Sequence, residues 1–576
     1  MRFNLGRGLD FDRTFRRSSW VEHGQALAPA SDSLVGAGRL PALGARAEPF
    51  ASHAPILHST PAMPVSVDVV VLGAGHNGLV AATLLARAGL VVLVLEEKPT
   101  IGGACKTERP FARVPGLSTS TGAYLLGLMP PELIAKLGVD IPTIRRDPHY
   151  FLPTTRGAYL LFGSDREAMR SQFQDFFSER DWKANEALTQ EIADLRHDVA
   201  STWLDEPLSI EETAERFVRP ALRTVFVDLC RKPIADYLAR FDFQSDFLRA
   251  MYAVTDGFSG LHGGYRTPGT GMNFLIHNMC RLAGSDGTFM MVRGGMGTVT
   301  ARLGEAAQRA GALIRTDARV ERVLVERGSV AGVLLAGGEE IRSPLVVCNA
   351  DPFRMCELVG RASLPSDYVT KIDGYRRDGT TMKVNLALRD LPKFSCLDDP
   401  RAYGPTIHLL PEDDVIASIE RAYAEVQEGR LPELPTIEWY IHSTVDGSIR
   451  DAAGHHSSAL FVQWVPYELA AGKTWEGEEE RYVAHLLSIC DRFAPGTSAL
   501  VADTFTLTPP KIERHFGISR GHIHHIDNGF GFADRLPYAT PIPGLYSCSA
   551  GTHPAGSVIG CGGHNAATRV LHDLAL

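Results

Sequence analysis

Val67-Asp68-Val69-Val70-Val71-Leu72-Gly73-Ala74-Gly75-His76-Asn77-Gly78-Leu79, and then Leu90-Val91-Val92-Leu93-Val94-Leu95-Glu96, is the stretch that decides the fold. The apolar run 67–71 has the length and β-branched content of a strand buried on both faces. Residues 73–78 form a glycine turn, the small residues of 79–88 suit a helix packed close to a sheet, and 90–95 is a second buried run. Two parallel strands need a crossover between them, so the stretch predicts a βαβ unit.

Gly73, Gly75 and Gly78 make GxGxxG between that strand and that helix. The first glycine permits the tight turn, the second lets a pyrophosphate approach the backbone, and the third lets helix pack on strand. His76 and Asn77 open the helix, whose N-terminus offers unpaired N–H groups and the positive end of its dipole. Glu96 follows the second strand, about 20 residues on, where a carboxylate accepts ribose hydroxyls. Strand, turn, helix and acid together predict dinucleotide binding. Gly102-Gly103 and Thr107 come directly after that acid.

Composition bounds the rest. The chain has 576 residues, 44% of them hydrophobic and 22% charged, which suits a globular protein and not a disordered one. A net charge of -9 argues against nucleic acid as a partner, because phosphate binding rests on clustered Lys and Arg. The nine cysteines are scattered and include no CxxC, which speaks against a disulfide framework or a dithiol pair and for a reducing compartment. No run of about 18 apolar residues predicts a transmembrane span, which leaves room for peripheral membrane contact. The first 63 residues hold seven arginines and no lysine, together with five acidic residues that transit peptides avoid. This leader is either a targeting segment or an extension before a start at Met63, and it stays outside the fold reasoning. The compartment is cytoplasmic if the source is bacterial and the mitochondrial matrix if it is eukaryotic.

Three blocks carry a family resemblance. Ile101-Gly102-Gly103-Ala104-Cys105-Lys106-Thr107 resembles the flavoprotein superfamily of amine oxidases, phytoene desaturases and carotenoid isomerases, which place a Gly-Gly doublet and a Thr near the FAD pyrophosphate. Val292-Arg293-Gly294-Gly295-Met296-Gly297, with Val320-Glu321-Arg322-Val323, resembles the second flavin segment of phytoene-desaturase-like proteins, where the backbone near Val320 meets the adenine. Residues 544–554, then Gly556-Ser557-Val558-Ile559-Gly560, resemble the family's last flavin strand and helix start, with Gly551, Ser557 and Val558 near the flavin. Ala555 and Ser557 depart from its glycine-rich pattern. Over residues 65–576 the chain resembles the group of pyridine nucleotide-disulfide oxidoreductase domain-containing protein 2 and its bacterial relatives. It has neither a redox cysteine pair nor a second strand–GxGxxG–helix, so that name misdescribes its sequence.

The resemblance implies non-covalent FAD, since the attachment context around Cys548 is lacking. It also implies an α/β fold: a doubly wound, Rossmann-like FAD-binding domain built from separated segments, with an inserted α+β substrate domain. The expected organisation is leader 1–63, FAD segments 64–150, 285–352 and 530–576, a helix-rich cap 151–284, and a substrate domain 353–529. Within the cap, Ser209-Ile210-Glu211-Glu212 reads as a capping box, and Phe173, Phe176, Phe177 and Trp182 read as core. Residues 319–326, 329–335 and 345–348 read as a meander.

Lys383, on an expected strand 381–388, is the candidate catalytic residue. The resemblance implies a lysine that holds a water near the flavin N5. Residue chemistry alone allows a surface lysine, because a charge on a strand usually marks a solvated face. His553 either orients the flavin or satisfies a turn, and His76 caps or packs. His522 and His524 would share a strand face, but no third ligand accompanies them, so no metal is expected. The expected function is an FAD-dependent oxidoreductase that dehydrogenates, saturates or isomerises a C–C bond of a small apolar, isoprenoid- or lipid-like substrate. The alternatives are an amine oxidase-like flavoenzyme, which needs an aromatic pair beside the flavin, and a flavin-stabilised scaffold acting through a protein partner.

Overall fold

The computed structural model describes residues 67–576. The leader, with its targeting and Met63 readings, lies outside the described residues. The βαβ unit is present as strand Val69–Leu72, helix His76–Arg87 and strand Val92–Leu95; the elements start two or three residues from the expected positions and end within one residue of them. The two strands pair in parallel, Val69 opposite Val92 and Leu72 opposite Leu95.

They lie in a five-stranded parallel sheet in the order Leu545–Ser547, Leu345–Cys348, Val69–Leu72, Val92–Leu95, Leu313–Arg315. The strands are therefore drawn from the start, middle and end of the chain. Alternation along Val69–Leu72 covers both faces. Val69 and Val71 pack under the helices His76–Arg87, Gly297–Arg309 and Cys561–Asp573, while Val70 and Leu72 pack under an antiparallel meander. The fold is thus an α/β, Rossmann-like domain assembled from separated segments.

The meander differs from its expected makeup. Its third strand is Glu340–Arg342, while Leu345–Cys348 enters the parallel sheet beside Val69–Leu72. The burial patterns explain the exchange: Glu340–Arg342 alternates exposed, buried, exposed, whereas Leu345–Cys348 is apolar and buried throughout.

The inserted domain is a seven-stranded sheet in the order Val501–Leu507, Thr381–Leu388, His456–Gln463, Thr436–Tyr440, Thr406–Leu409, Tyr150–Pro153, Tyr159–Phe162. The segment expected to be a helical cap thus opens with two strands of the substrate sheet. The helices Pro352–Val359 and Ser366–Gly374, expected in the substrate domain, instead place Phe353, Met355 and Ile372 in one buried cluster with Val70 and Leu72. The cap itself is helical, and the capping box at Ser209 and Glu212 forms at the start of Ile210–Phe217. Phe173 and Trp182 are core and Phe177 is half-buried, but Phe176 is exposed at the helix end. His522 and His524 sit in a loop, not on a strand, and among the described residues no group of three His, Cys, Asp or Glu side chains could hold a metal. No helix among the described residues is long and apolar enough to cross a membrane.

Candidate flavin and substrate site

One cavity of about 840 Å³ runs between the parallel sheet and the substrate sheet. Gly73, Gly75, His76, Asn77, Glu96, Gly102, Gly103, Val320, Ser557 and Val558 all line it. Nearly all the residues expected to hold the dinucleotide therefore converge. Gly75 is the N-cap of the helix and no side chain caps it, which leaves the first-turn N–H groups for a ligand. Gly78 stands behind the turn. A Cβ there would lie 2.2 Å from the Gly73 carbonyl oxygen, so helix and turn could not approach as they do.

Glu96 is buried at the end of its strand and accepts N–H donations from Ala74 (2.9 Å) and Lys98 (3.0 Å). Burial raises its carboxyl above the usual range. His76 is held neutral, at about 4, by burial first and by His525 second, which suits packing and not titration. An uncapped helix N-terminus, a glycine turn and a buried carboxylate at the end of the next strand, in one cavity, fit FAD.

Four residues singled out from the sequence stand outside the cavity wall. The Thr107 hydroxyl donates to the Gly294 carbonyl (3.0 Å) and accepts from the Gly297 N–H (3.0 Å), so it ties the second flavin segment down from outside the cavity wall. Gly551 is buried behind the wall, its N–H donating to the Ser549 hydroxyl (3.0 Å). His553 packs edge-on against Phe532, and Cys548 is fully buried; neither reaches the cavity.

Lys383 does reach it. Thr381–Leu388 is buried on both faces: Met382, Val384, Leu386 and Leu388 enter the apolar core with Trp439 and Leu460, and Lys383 points the other way. The solvated-face reading is thereby corrected, because this strand has no solvated face. Lys383 is 5% exposed, and its Nζ sits 4.1 Å from the Tyr124 ring centre and 4.3 Å from that of Phe461. Burial lowers its pKa to about 7, against the opposing pull of Glu438.

Cross-strand register explains the neighbours. Lys383 is opposite Phe461, Phe461 opposite Glu438, and Glu438 opposite His408. Residues directly opposite share a face, so the row turns a lysine, a phenylalanine, a glutamate and a histidine one way. Burial pushes the Glu438 carboxyl up to about 7, and it accepts the Tyr440 hydroxyl. His408 lies under Tyr150, ring centres 4.2 Å apart, and burial holds it neutral.

Tyr124, Arg146, Asp256, Glu438, Tyr440 and Phe461 line this part of the cavity, and sequence reasoning misses all six. One signal for Glu438 exists: an acid in the middle of Thr436-Ile437-Glu438-Trp439-Tyr440, an otherwise strand-forming run. The others carry no local pattern.

A model of the flavin containing amine oxidoreductase family matches residues 78–393. The chain belongs to that family. Pyridine nucleotide-disulfide oxidoreductase domain-containing protein 2 of Rattus norvegicus is 33% identical over 88% of this chain and 94% of that protein. A limonene dehydrogenase subunit of Castellaniella defragrans is 25% identical over 88% and 95%, and all-trans-retinol 13,14-reductase of Homo sapiens 23% over 84% and 82%. Among solved structures, an oxidoreductase from Methanosarcina mazei superposes with a TM-score of 0.57 at 16% identity, covering 88% of this chain and all of that one. Putrescine oxidase bound to putrescine gives 0.56 at 17% identity, over 89% and 99%. The structural matches establish the fold, and the family establishes an FAD-dependent oxidoreductase; the scaffold alternative falls away.

Proposed function

We propose that this flavoenzyme dehydrogenates, saturates or isomerises a C–C bond of an apolar, isoprenoid- or lipid-like substrate, as phytoene-desaturase-like proteins do. The observation that carries the reading is the apolar patch that the cap contributes to the cavity wall: Met169, Trp182, Leu188, Ile192, Met251 and Phe274. Such a patch binds a hydrocarbon through apolar area removed from water. The names of two relatives, a limonene dehydrogenase subunit and a retinol reductase, agree with it.

Bound flavin supplies the two-electron redox chemistry. Lys383 is the catalytic residue in this reading: an amine held near 7 both gives and takes a proton at working pH. Tyr124 and Tyr440 supply an aromatic pair, but their ring centres are 5.2 Å apart, leaving no slot between them for an amine. The Lys383 ammonium already covers the Tyr124 ring.

The test is anaerobic bleaching of the oxidised flavin, and re-oxidation of the photoreduced flavin, across a panel of isoprenoids, lipids and amines. Isoprenoids or lipids should change the flavin spectrum in one direction or the other. A response to amines alone overturns the reading.

A further inference from the structure

One buried and one half-buried guanidinium group line the same cavity without a counter-ion among the described residues. Arg146 is 6% exposed. Its Nε and Nη2 both donate to the Phe289 carbonyl (3.3 and 3.2 Å), and its Nη1 donates to the Thr406 hydroxyl (2.8 Å). Of its five N–H groups two remain. The Arg196 Nε donates to the Asn278 carbonyl, and no other hydrogen bond engages its guanidinium among the described residues. That group lies flat on Gly287, where a Cβ would come within 2.4 Å of Nη1. Among the described residues neither arginine has a carboxylate oxygen within 4.0 Å.

The acids nearest the pair are already engaged. Arg145 is engaged at the rim by Asp286 (2.6 Å). Asp256 accepts from the Asn278 side chain (2.9 Å), and Glu438 accepts from Tyr440. Burial brings both carboxyls up to about 7, so at neutral pH neither is a full counter-charge. A buried cation without a partner is costly, and Arg is suited to bidentate binding of planar oxyanions.

We propose that Arg146 and Arg196 form a subsite for the carboxylate of an apolar acid, so that the substrate is a hydrocarbon chain ending in one singly charged headgroup. The inference rests on the apolar-substrate reading above and narrows it. A dianionic phosphate is disfavoured because Asp256 and Glu438 share the wall.

The experiment uses the FAD-loaded full chain and displacement of a fluorescent polyene fatty acid by four probes of equal chain length: hexadecanoate, hexadecanol, hexadecylamine and hexadecyl phosphate. Hexadecanoate should displace at least about tenfold more tightly than the other three. Arg146→Met and Arg196→Gln, with flavin content confirmed first, should each weaken hexadecanoate about tenfold and hexadecanol less than about threefold. Equal binding of acid and alcohol by the parent protein overturns the subsite, whether or not the variants fold. Tighter binding of the phosphate overturns the carboxylate assignment, and acid preference surviving in both variants overturns the role of the arginines. Failure of all four probes to displace would bring down the apolar reading as well, which separates the two claims.

Discussion

The cavity has two ends built on different principles. At the glycine turn, recognition belongs to the backbone: the uncapped helix at Gly75, the close approach that Gly78 permits, and one acid, Glu96, on the next strand. In the substrate sheet the cavity is lined by ionisable side chains, Lys383 and Glu438, set by register across four strands in one buried row that ends at His408 behind the wall. The first end tolerates almost no change of shape and titrates little. The second is poised electrostatically, with Lys383 and Glu438 both brought to about 7. A site made from backbone should fail all at once when a methyl group is added; one made from buried charges should fail by degrees and with pH.

The sharpest break of that contrast is Gly78→Ala. Its Cβ would meet the Gly73 carbonyl oxygen at 2.2 Å, so flavin-loaded soluble protein should be lost almost entirely, as read by flavin-to-protein stoichiometry. Full stoichiometry would show that the turn has slack.

Lys383→Met should leave flavin content intact and slow the flavin half-reactions in stopped flow by about tenfold, roughly 1.4 kcal/mol of barrier. Unchanged rates would return Lys383 to a purely structural role. Lost flavin would mean that the two ends are not independent.

A smaller effect is expected from Glu438→Gln. With its carboxyl raised to about 7, the folded protein holds a proton there that the unfolded chain releases near 4.5. Stability from this group is therefore greatest below about 4.5 and declines as pH rises towards 7. Lys383, lowered to about 7, acts in the opposite window: the folded protein has lost a proton that the unfolded chain keeps to about 10.5, so stability rises from 7 upward. Glu438→Gln should remove the acid-side decline, narrowing the difference in melting temperature between pH 5 and pH 7 by about 1–2 °C. An unchanged pH profile would place the group in contact with water.

Smallest of all, Ser209→Ala removes the capping box of Ile210–Phe217 and should cost about 1 kcal/mol locally. Faster hydrogen exchange in that helix, with flavin content unchanged, is the expected outcome.

Legibility follows the same division. Gly73, Gly75, His76, Asn77, Glu96, Gly102, Gly103, Val320, Ser557 and Val558 all read as flavin-side residues and all line the cavity. Thr107 and Gly551 read that way too and lie behind the wall, because family position says a residue is near a site but not which side of the backbone its atoms face. Leu345–Cys348 reads wrongly as a meander strand because four apolar residues fit either a meander or a parallel sheet, and only the partner strand distinguishes them.

The sequence by itself determined what is local: the βαβ unit, the glycine turn, the acid that ends the second strand and the capped helix, since each depends on spacing over a few turns of chain. Only the tertiary structure decided that Thr381–Leu388 has no solvated face and that residues 383, 461, 438 and 408 form one row. The same holds for the meeting of Arg146 and Arg196 in one cavity. The physical reason is that a buried charge acquires its chemistry from neighbours contributed by distant strands, and no spacing along the chain encodes cross-strand register.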